Sequence, residues 1–460
     1  MVKIGFISKI SELLISQINS GHVRSVKARK NIFISFFIKG ISIVIGFIFV
    51  PLLINYLGTV EYGIWITLSS VVAWIGYFDI GLGNGLRNKF AESMANNEPE
   101  MAKTYVSTTY AALSAIFGLF LIAFMAISPF IDWAAILNAP GNLAKELRIL
   151  VQLTVGFFLI RFVLKLIAVI IVADQRPAIS NTFEPLGNSI SLIGVLLLMH
   201  FTQPSLVNLG LILGASPVIV LTLASIYFYN KEYKPYKPTF KYVNFKYFKD
   251  LAGLGVQFFI IQITIVVVLS ANNIIITHVV GPEAVTSYNV AYRYFGLISM
   301  GFVIIANTYW SAFTEAYVKG DIPWIKKTTK YLVGIWLGIA ILLVIMVVFS
   351  DQFYLLWVGE KATVPFILSL TSALFVLINV WISIFTYFIN GTGKIKLQLY
   401  STVFAAIISV PLAIYFSKYV GMGAAGVVLG SSLAYVPVAI LSPIQYLKII
   451  NRKDFGIWGK

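Results

Sequence analysis

Twelve apolar stretches, each about as long as a membrane-spanning helix, dominate the sequence. A helix needs about 20 mostly apolar residues to cross the hydrocarbon core of a bilayer. Because every backbone polar group must find a partner inside lipid, runs of this length predict helices and not open strands. We therefore expect an all-α, polytopic membrane protein. The predicted spans are residues 31–54, 62–85, 104–128, 148–172, 178–200, 206–229, 251–277, 285–310, 331–350, 364–389, 397–416 and 424–447.

The basic residues lie mostly on one side of these spans. The chain carries 34 Lys and Arg against 18 Asp and Glu, a formal net charge of +16, although 11% of its residues are charged. Twenty-six of the 34 basic residues fall in the termini and in the loops on the same side. Since Lys and Arg collect in cytoplasmic loops, both termini are expected in the cytoplasm. The basic residues are spread over seven segments, which argues against a single nucleic-acid-binding patch.

Residues 1–30 form a predicted cytoplasmic N-terminal segment. Ile4, Ile7 and Ile10 recur at helical spacing among polar residues, and no small-residue cleavage site follows a continuous apolar core. This pattern favours an amphipathic helix at the membrane surface over a signal peptide. A tail without fixed structure is the alternative.

The chain has no cysteine and three histidines. This composition excludes disulfides, a thiolate nucleophile and cysteine-ligated metal sites. His22, His200 and His278 are far apart in sequence and have no carboxylate at ligand spacing, so we expect no metal and no resident cofactor.

The two halves of the chain are related by a repeat with an offset of 223 residues. The agreeing positions lie in loops and at span ends, where hydropathy gives no reason for agreement. An even number of spans per repeat predicts two six-helix lobes of the same orientation around a central cavity. The aligned pairs are Gly58 and Gly281, Asn84 and Asn307, Phe90 and Phe313, Glu92 and Glu315, and Lys103 and Lys326.

The repeat also fixes the predicted domain boundaries. The N-lobe covers residues 31–229 and the C-lobe residues 251–447. A basic cytoplasmic connector at 230–250 joins them, and residues 448–460 form a cytoplasmic tail.

Four basic side chains, Lys39, Arg161, Lys165 and Arg293, fall inside predicted spans. A charge at the bilayer centre costs at least about 2.5–3.5 kcal/mol, so each is a candidate substrate-binding residue. Arg161 and Arg293 fall near mid-bilayer, one in each half, where a guanidinium can bind a phosphate or carboxylate through two hydrogen bonds. The alternatives are structural hydrogen bonding for the arginines and snorkelling for the lysines.

Two carboxylates inside the spans, Asp79 and Glu184, are candidates for coupling transport to a proton or Na⁺ gradient. Residues equally far from a hairpin turn lie at the same depth. We therefore expect Lys165 to lie level with Glu184 and to pair with it, and Lys39 to lie level with Asp79. Arg161 and Arg293 have no level carboxylate. Neutralisation by these lysines is the alternative to a coupling role.

The segment "DIGLGNG", with Gly81, Gly83 and Gly85, superficially resembles a glycine-rich phosphate-binding loop. It ends an apolar span, however, and no βαβ unit surrounds it. We expect these glycines to allow close helix packing or a flexible helix end.

The segment "PLLINYLGTVEYGIWITLSSVVAWIGYFDIGLGNGLRNKFAE" resembles the N-terminal signature of bacterial polysaccharide and O-antigen flippases. The stretch "NGTGK" at 390–394 is similar to a glycine-containing turn of the same family. The resemblance covers essentially the whole chain. It implies that the chain is a member of the multidrug/oligosaccharidyl-lipid/polysaccharide exporter superfamily. Such proteins translocate undecaprenyl-pyrophosphate-linked oligosaccharides from the cytoplasmic to the outer leaflet of the membrane.

The resemblance also implies a location, partners and a site. The location is the bacterial cytoplasmic (inner) membrane, and the partners are a polyprenyl-pyrophosphate-linked glycan, membrane lipids and other polysaccharide-assembly membrane proteins. The site is a cationic cavity that receives the charge of the substrate, with Arg293 supported above Arg161, Lys39 and Lys165.

Two other functions stay open at this point. A multidrug exporter of the same superfamily would favour a cavity of carboxylates and aromatic rings, whereas the unpaired charges here are positive. A membrane-embedded polysaccharide polymerase would need a carboxylate pair or a Ser/His arrangement at one face, but His200 and His278 stand alone. A transporter is therefore favoured over an enzyme.

Overall fold

A computed structural model describes residues 23–58, 61–62, 64–65, 68–69, 81–137, 139–358 and 364–459. All regular secondary structure within these ranges is helical. The chain divides into two compact units, the first ending at Leu251 and the second beginning at Ala252.

The first unit contains seven helices of eight or more residues among those described. Long helices pair in it: α1 packs along α6, and α7 packs on both α4 and α6. Single helical turns at Ser128–Phe130, Trp133–Ile136 and Gly141–Leu143 link α3 to α4. The helices are α1 (Val23–Leu57), α2 (Leu82–Ala95), α3 (Pro99–Ile127), α4 (Ala144–Leu164), α5 (Leu166–Ala173), α6 (Pro177–Phe201) and α7 (Leu206–Asn230).

The second unit follows three short 3-10 turns, Lys234–Tyr236, Phe240–Tyr242 and Phe245–Tyr247. Its first helix, α8, starts at the end of the first unit, and its most extensive packing joins α9 to α12 and α13 to α14. The helices are α8 (Phe248–Val279), α9 (Pro282–Val318), α10 (Ile322–Val348), α11 (Ser350–Val358), α12 (Phe366–Thr392), α13 (Lys396–Ile414), α14 (Gly423–Ala434) and α15 (Val436–Ile450).

Ten helical segments in the described ranges are long and apolar enough to cross a membrane. They coincide with the third to twelfth spans predicted from the sequence, so the chain is a multi-pass, all-helical membrane protein. The first predicted span lies within α1. The second, at 62–85, falls mostly on residues outside those described, as does most of the predicted N-terminal segment.

The 223-residue repeat is visible in the backbone of each unit. At this offset α2 and α9 end at equivalent residues, Ala95 and Val318, and α3 and α10 begin at equivalent residues. The turns between them are also equivalent, because Asn97 and Gly320 both adopt positive φ, 58° and 70°. Each half of the chain therefore folds these helix ends in the same way.

Small residues bring backbones together as expected for membrane helices. A Cβ atom on Gly430 of α14 would lie 2.4 Å from the backbone nitrogen of Ala413, and one on Gly426 would lie 2.5 Å from the Phe416 carbonyl. A Cβ atom on Gly85 would lie 2.7 Å from the Leu251 carbonyl oxygen. The prediction that the "DIGLGNG" glycines serve helix packing is thus confirmed at Gly85.

Candidate functional site

Arg161 lines a cavity of about 230 Å³ within the first unit. Helix α4 contributes Thr154, Phe157, Phe158 and Arg161, which share one face because they follow at intervals of three or four residues. Their side chains are joined by residues from α7 and from the segment before α2. These other lining residues are Trp65, Ser69, Leu213, Gly214 and Pro217.

Two residues of α7 shape the wall opposite α4. A Cβ atom at Gly214 would lie 2.5 Å from Cδ2 of Phe157, so glycine allows the two helices to approach closely here. Pro217 lies inside α7 and has no N–H to donate to the carbonyl of Leu213, one turn earlier. The wall therefore combines close packing with a weakened backbone hydrogen-bond ladder.

The polar groups of this cavity can hold an anion. The Arg161 side chain is exposed, and its guanidinium carries five N–H donors in a planar fork. The Ser69 hydroxyl oxygen is buried and has no hydrogen-bond partner within the described part of the chain. Thr154 donates its hydroxyl proton to the Leu150 carbonyl at 2.8 Å. A phosphate or carboxylate in this space would meet Arg161 as its charged partner.

Glu184 on α6 brings a carboxylate close to Lys39 in the first unit. Its Oε2 lies 3.9 Å from Nζ of Lys39, and the carboxylate also interacts electrostatically with Arg161. The predicted pairing of Glu184 with Lys165 is therefore wrong, whereas Arg161 forms no ion pair among the described residues, as expected. Equal distance from a turn fixes depth alone, whereas the rotation of each helix decides which neighbour a side chain faces.

The packing of α1 on α6 fixes that rotation. Near the start of α6, Lys27 donates to the carbonyl of Asp174 at 2.8 Å and Asn31 donates to that of Gln175 at 2.9 Å. One turn further, Asn181 donates to the Ser35 hydroxyl at 2.9 Å. The next residues along the same seam are Lys39 and Glu184, which therefore face each other.

Lys165 and Arg293 are exposed and make no ion pair among the residues that the structure describes. Lys165 stands at the break between α4 and α5, one turn beyond Arg161. Arg293 lies on α9 in the second unit. Asp79 lies outside the described residues.

The second unit contains a larger cavity, of about 380 Å³, that the sequence reasoning missed. Helices α9 and α12 provide most of its wall, and all of its lining side chains in the described ranges are uncharged. The side-chain amide of Asn379 donates to the Phe375 backbone carbonyl at 2.8 Å. The backbone carbonyl of Asn379 accepts a hydrogen bond from the Ser383 hydroxyl at 2.7 Å. The lining includes Tyr292, Ser299, Met300, Phe302, Phe375, Asn379, Ser383 and Tyr435.

Arg293 follows Tyr292 directly but is not among the residues that line this cavity. The two cavities are nevertheless related by the repeat. Ser69 and Phe157 of the first cavity correspond to Tyr292 and Val380 of the second, and all four line their cavities. The sequence does contain a signal for the second cavity. Polar residues such as Asn379 lie in the middle of otherwise apolar spans.

A family described as "Polysaccharide biosynthesis protein" matches residues 28–310, which is more than half of the chain. The chain belongs to this family. A second family, MatE, matches residues 251–415.

Two curated relatives of the family cover nearly the whole chain. One, from Yersinia pseudotuberculosis, has a name that refers to O-antigen export; it is 24% identical over 90% of this chain and 94% of its own length. Another, from Salmonella typhimurium, has a name that refers to O-antigen transport; it is 24% identical over 87% of this chain and 92% of its own length.

Solved structures show the same fold at lower identity. An outward-facing multidrug resistance MATE transporter of the MOP superfamily is 15% identical, with a TM-score of 0.77 over 96% of this chain and 98% of that one. A MOP superfamily transporter from Pyrococcus furiosus, described as having a binding pocket of reversed polarity, is 14% identical with a TM-score of 0.76, again over 96% and 98%. This chain therefore shares the fold of these transporters.

Proposed function

We propose that the protein is a flippase that moves undecaprenyl-pyrophosphate-linked oligosaccharide repeat units, of O-antigen or another surface polysaccharide, from the inner to the outer leaflet of the bacterial cytoplasmic membrane. Its relatives, whose names refer to O-antigen export and transport, support this substrate class. The partners would be the lipid-linked glycan, membrane lipids and other polysaccharide-assembly membrane proteins.

The cavity around Arg161 carries the proposal. A guanidinium inside an apolar membrane helix is costly, and such charges are retained where they serve a substrate or an ion pathway. Arg161 lines an open space together with Ser69, whose hydroxyl has no hydrogen-bond partner among the residues that the structure describes. This arrangement suits the pyrophosphate of a lipid-linked sugar, since Arg binds phosphate oxygens through paired hydrogen bonds. Lys39, Lys165 and Arg293 would add to the cationic path.

The same proposal assigns a topology. Twelve membrane helices would form two six-helix lobes at 31–229 and 251–447, with the connector at 230–250 and both termini in the cytoplasm. Transport would proceed by alternating access. A proton or Na⁺ gradient would drive it, with Glu184 and Asp79 as the coupling carboxylates. The ion pair of Glu184 with Lys39 supports this role, because ion binding at Glu184 would change the field at that lysine.

A reconstituted flipping assay tests the proposal. Proteoliposomes would contain fluorescent undecaprenyl-pyrophosphate-linked oligosaccharide, and an impermeant quencher would report how much of it crosses the bilayer. We expect Arg161→Ala to slow flipping at least about tenfold, because a hydrogen bond to a charged group is worth about 1.5–3 kcal/mol. Arg161→Lys should restore part of the rate, since it keeps the charge without the fork.

Arg148→Ala is the matched control. Arg148 is also exposed and lies on α4, near the start of the helix and away from the cavity lining. Its replacement should leave the rate near that of the wild type. Equal loss in the two alanine variants, or full flipping by Arg161→Ala, would contradict the assignment of Arg161 as a substrate-binding residue.

Export of drugs or other small molecules, as by a multidrug exporter of the same superfamily, is the second candidate. The uncharged, aromatic cavity of the second unit and the MatE match over residues 251–415 favour it. A host that lacks its own efflux pumps would separate the two functions. Resistance to toxic organic cations in that host, without rescue of surface polysaccharide in a flippase-deficient strain, would decide for the drug exporter.

A further inference from the structure

The connector between the two halves is folded onto the first unit. The backbone N–H of Thr239 donates to the Ser107 hydroxyl at 3.1 Å. One turn along the connector, the N–H of Asn244 donates to the Thr108 hydroxyl at 3.0 Å, and the ring of Tyr247 meets that of Tyr105 edge-on. These contacts fix residues 239–247 against the beginning of α3.

Two carboxylates beside the connector, Glu232 and Asp174, already have partners within the first unit. Glu232 forms an ion pair with Arg176. The Tyr233 hydroxyl donates to Oδ2 of Asp174 at 2.9 Å, and burial together with that carboxylate raises the pKa of Tyr233, so the hydroxyl stays a donor. Asp250 is exposed at the end of the connector. The lysines of the connector therefore dominate its outer surface.

That outer surface combines lysines with exposed aromatic rings. Phe240 is 94% exposed and Phe245 is 62% exposed, although their backbones are held by the contacts above. Water is a poor environment for two such rings, whereas phenylalanine beside lysine is typical of chains that lie at a membrane interface. The exposed lysines of the connector are Lys231, Lys234, Lys237, Lys241, Lys246 and Lys249.

A crevice of about 250 Å³ lies between the connector and α3. From α3 it is lined by Ser107, Tyr110, Ala111 and Ser114, which share one helix face. The same face continues into the membrane span towards Ile122, which is 70% exposed. The remaining lining residues belong to the connector: Pro238, Thr239, Phe240 and Val243.

We propose that this crevice binds an anionic phospholipid of the cytoplasmic leaflet. One acyl chain would lie along α3 between Ala111 and Phe240, and the phosphate would rest against Lys237 and Lys241, which flank the lining segment. Lysines near the membrane surface are attracted to the anionic lipids of the cytoplasmic leaflet. The continuity of the crevice with the lipid-facing side of α3 favours a lipid over a protein partner.

Native mass spectrometry of the full-length protein in detergent tests this proposal without any transport measurement. The protein would be titrated with phosphatidylglycerol and, separately, with phosphatidylcholine. We expect tighter binding of phosphatidylglycerol. The double variant Lys237→Gln/Lys241→Gln should weaken its binding at least fivefold, and Ala111→Phe should weaken the binding of both lipids because the larger side chain fills the crevice.

The repeat offers a matched control. Lys326 and Lys327 are exposed near the start of α10, the helix that corresponds to α3, and residue 326 is the repeat partner of Lys103. Lys326→Gln/Lys327→Gln removes the same charge from the second unit and should leave phosphatidylglycerol binding unchanged. Equal loss in the two double variants, equal affinity for both lipids, or unchanged phosphatidylglycerol binding by a folded Lys237→Gln/Lys241→Gln protein would overturn the proposal.

Discussion

The cavities of the two units occupy repeat-related places but differ in charge. The first contains Arg161, and the second is lined, in the described ranges, by amides, hydroxyls and rings. At the offset of 223 residues, each intramembrane charge of the first unit has an uncharged partner. Lys39, Asp79, Arg161, Lys165 and Glu184 correspond to Gln262, Phe302, Ile384, Phe388 and Ile407.

This comparison separates the features that the two units share from the charges in which they differ. Helix ends, turns and the space between helices are retained in both units, because the packing of the bundle depends on them. The charge at a cavity depends on single positions, which can diverge without changing the helices. The anion-binding role proposed for the first unit thus depends on a charge that the described lining of the second cavity does not have.

The largest expected effect comes from placing an arginine in the second unit where the first has one. Ile384, the partner of Arg161, is fully buried. Ile384→Arg should lower the free energy of unfolding by about 3 kcal/mol or more, because the guanidinium would enter a packed apolar site. By the usual scaling for domains of this size, the Tm of the purified protein in detergent should fall by about 6–12 °C.

The reciprocal variant sharpens that result. Arg161→Ile should keep a wild-type Tm or raise it, since it removes a charge from an apolar helix. Flipping should still fall at least about tenfold in the proteoliposome assay, as for the alanine variant. A stable, fully folded Ile384→Arg protein would mean that the two positions are interchangeable and would refute the contrast between the units.

The second prediction concerns Glu184, a carboxylate of the first unit whose repeat partner in the second unit, Ile407, is uncharged. Glu184 is half-exposed and 3.9 Å from Lys39, and such pairs contribute about 0–1 kcal/mol to stability. Glu184→Gln should therefore shift the Tm little, yet remove the acceleration of flipping by an imposed proton or Na⁺ gradient. The measurement compares flipping rates with and without each gradient.

Glu146→Gln provides the opposite control. Oε1 of Glu146 accepts hydrogen bonds from the Ser205 hydroxyl at 2.9 Å and the Leu206 N–H at 2.8 Å, so this carboxylate anchors the start of α7. Its loss should lower stability by about 1 kcal/mol and leave the gradient response intact. A gradient response retained by Glu184→Gln would assign the coupling elsewhere, with Asp79 as the next residue to test.

The smallest effect is expected in the second cavity. Asn379→Leu keeps the side-chain size nearly constant and removes an amide from a space without charge. If the second unit contributes no anion binding, flipping should change by less than about threefold, the equivalent of roughly 0.7 kcal/mol. A tenfold loss in the same assay, with the Tm unchanged, would make the two cavities functionally equivalent and break the comparison.

Much of the fold was predictable from the sequence. The third to twelfth predicted spans coincide with membrane-length helices, because apolar length is a local property that any window of the chain reveals. The repeat register was predictable for a similar reason, since residues at turns such as Asn97 and Gly320 are constrained by the local backbone. Gly85 could be assigned to packing since no strand surrounded its motif.

The candidate site was only partly predictable. Hydropathy identified Lys39, Arg161, Lys165, Arg293 and Glu184 as charges inside spans, because a charge in an apolar run is visible without a structure. It did not give their neighbours. Depth matching paired Glu184 with the wrong lysine, since it ignores helix rotation. The cavity of the second unit was missed because it has no charge to signal it.

The sequence by itself thus determined the class of protein, the order of the ten long apolar helices found in the described ranges and the positions of the costly charges. These properties follow from the free energy of moving single side chains and backbone groups into lipid. The tertiary structure decided that Arg161 lines a cavity, that Glu184 faces Lys39 and that the connector folds onto α3. These contacts depend on how helices distant in sequence rotate and pack against one another, which no local window of the chain records.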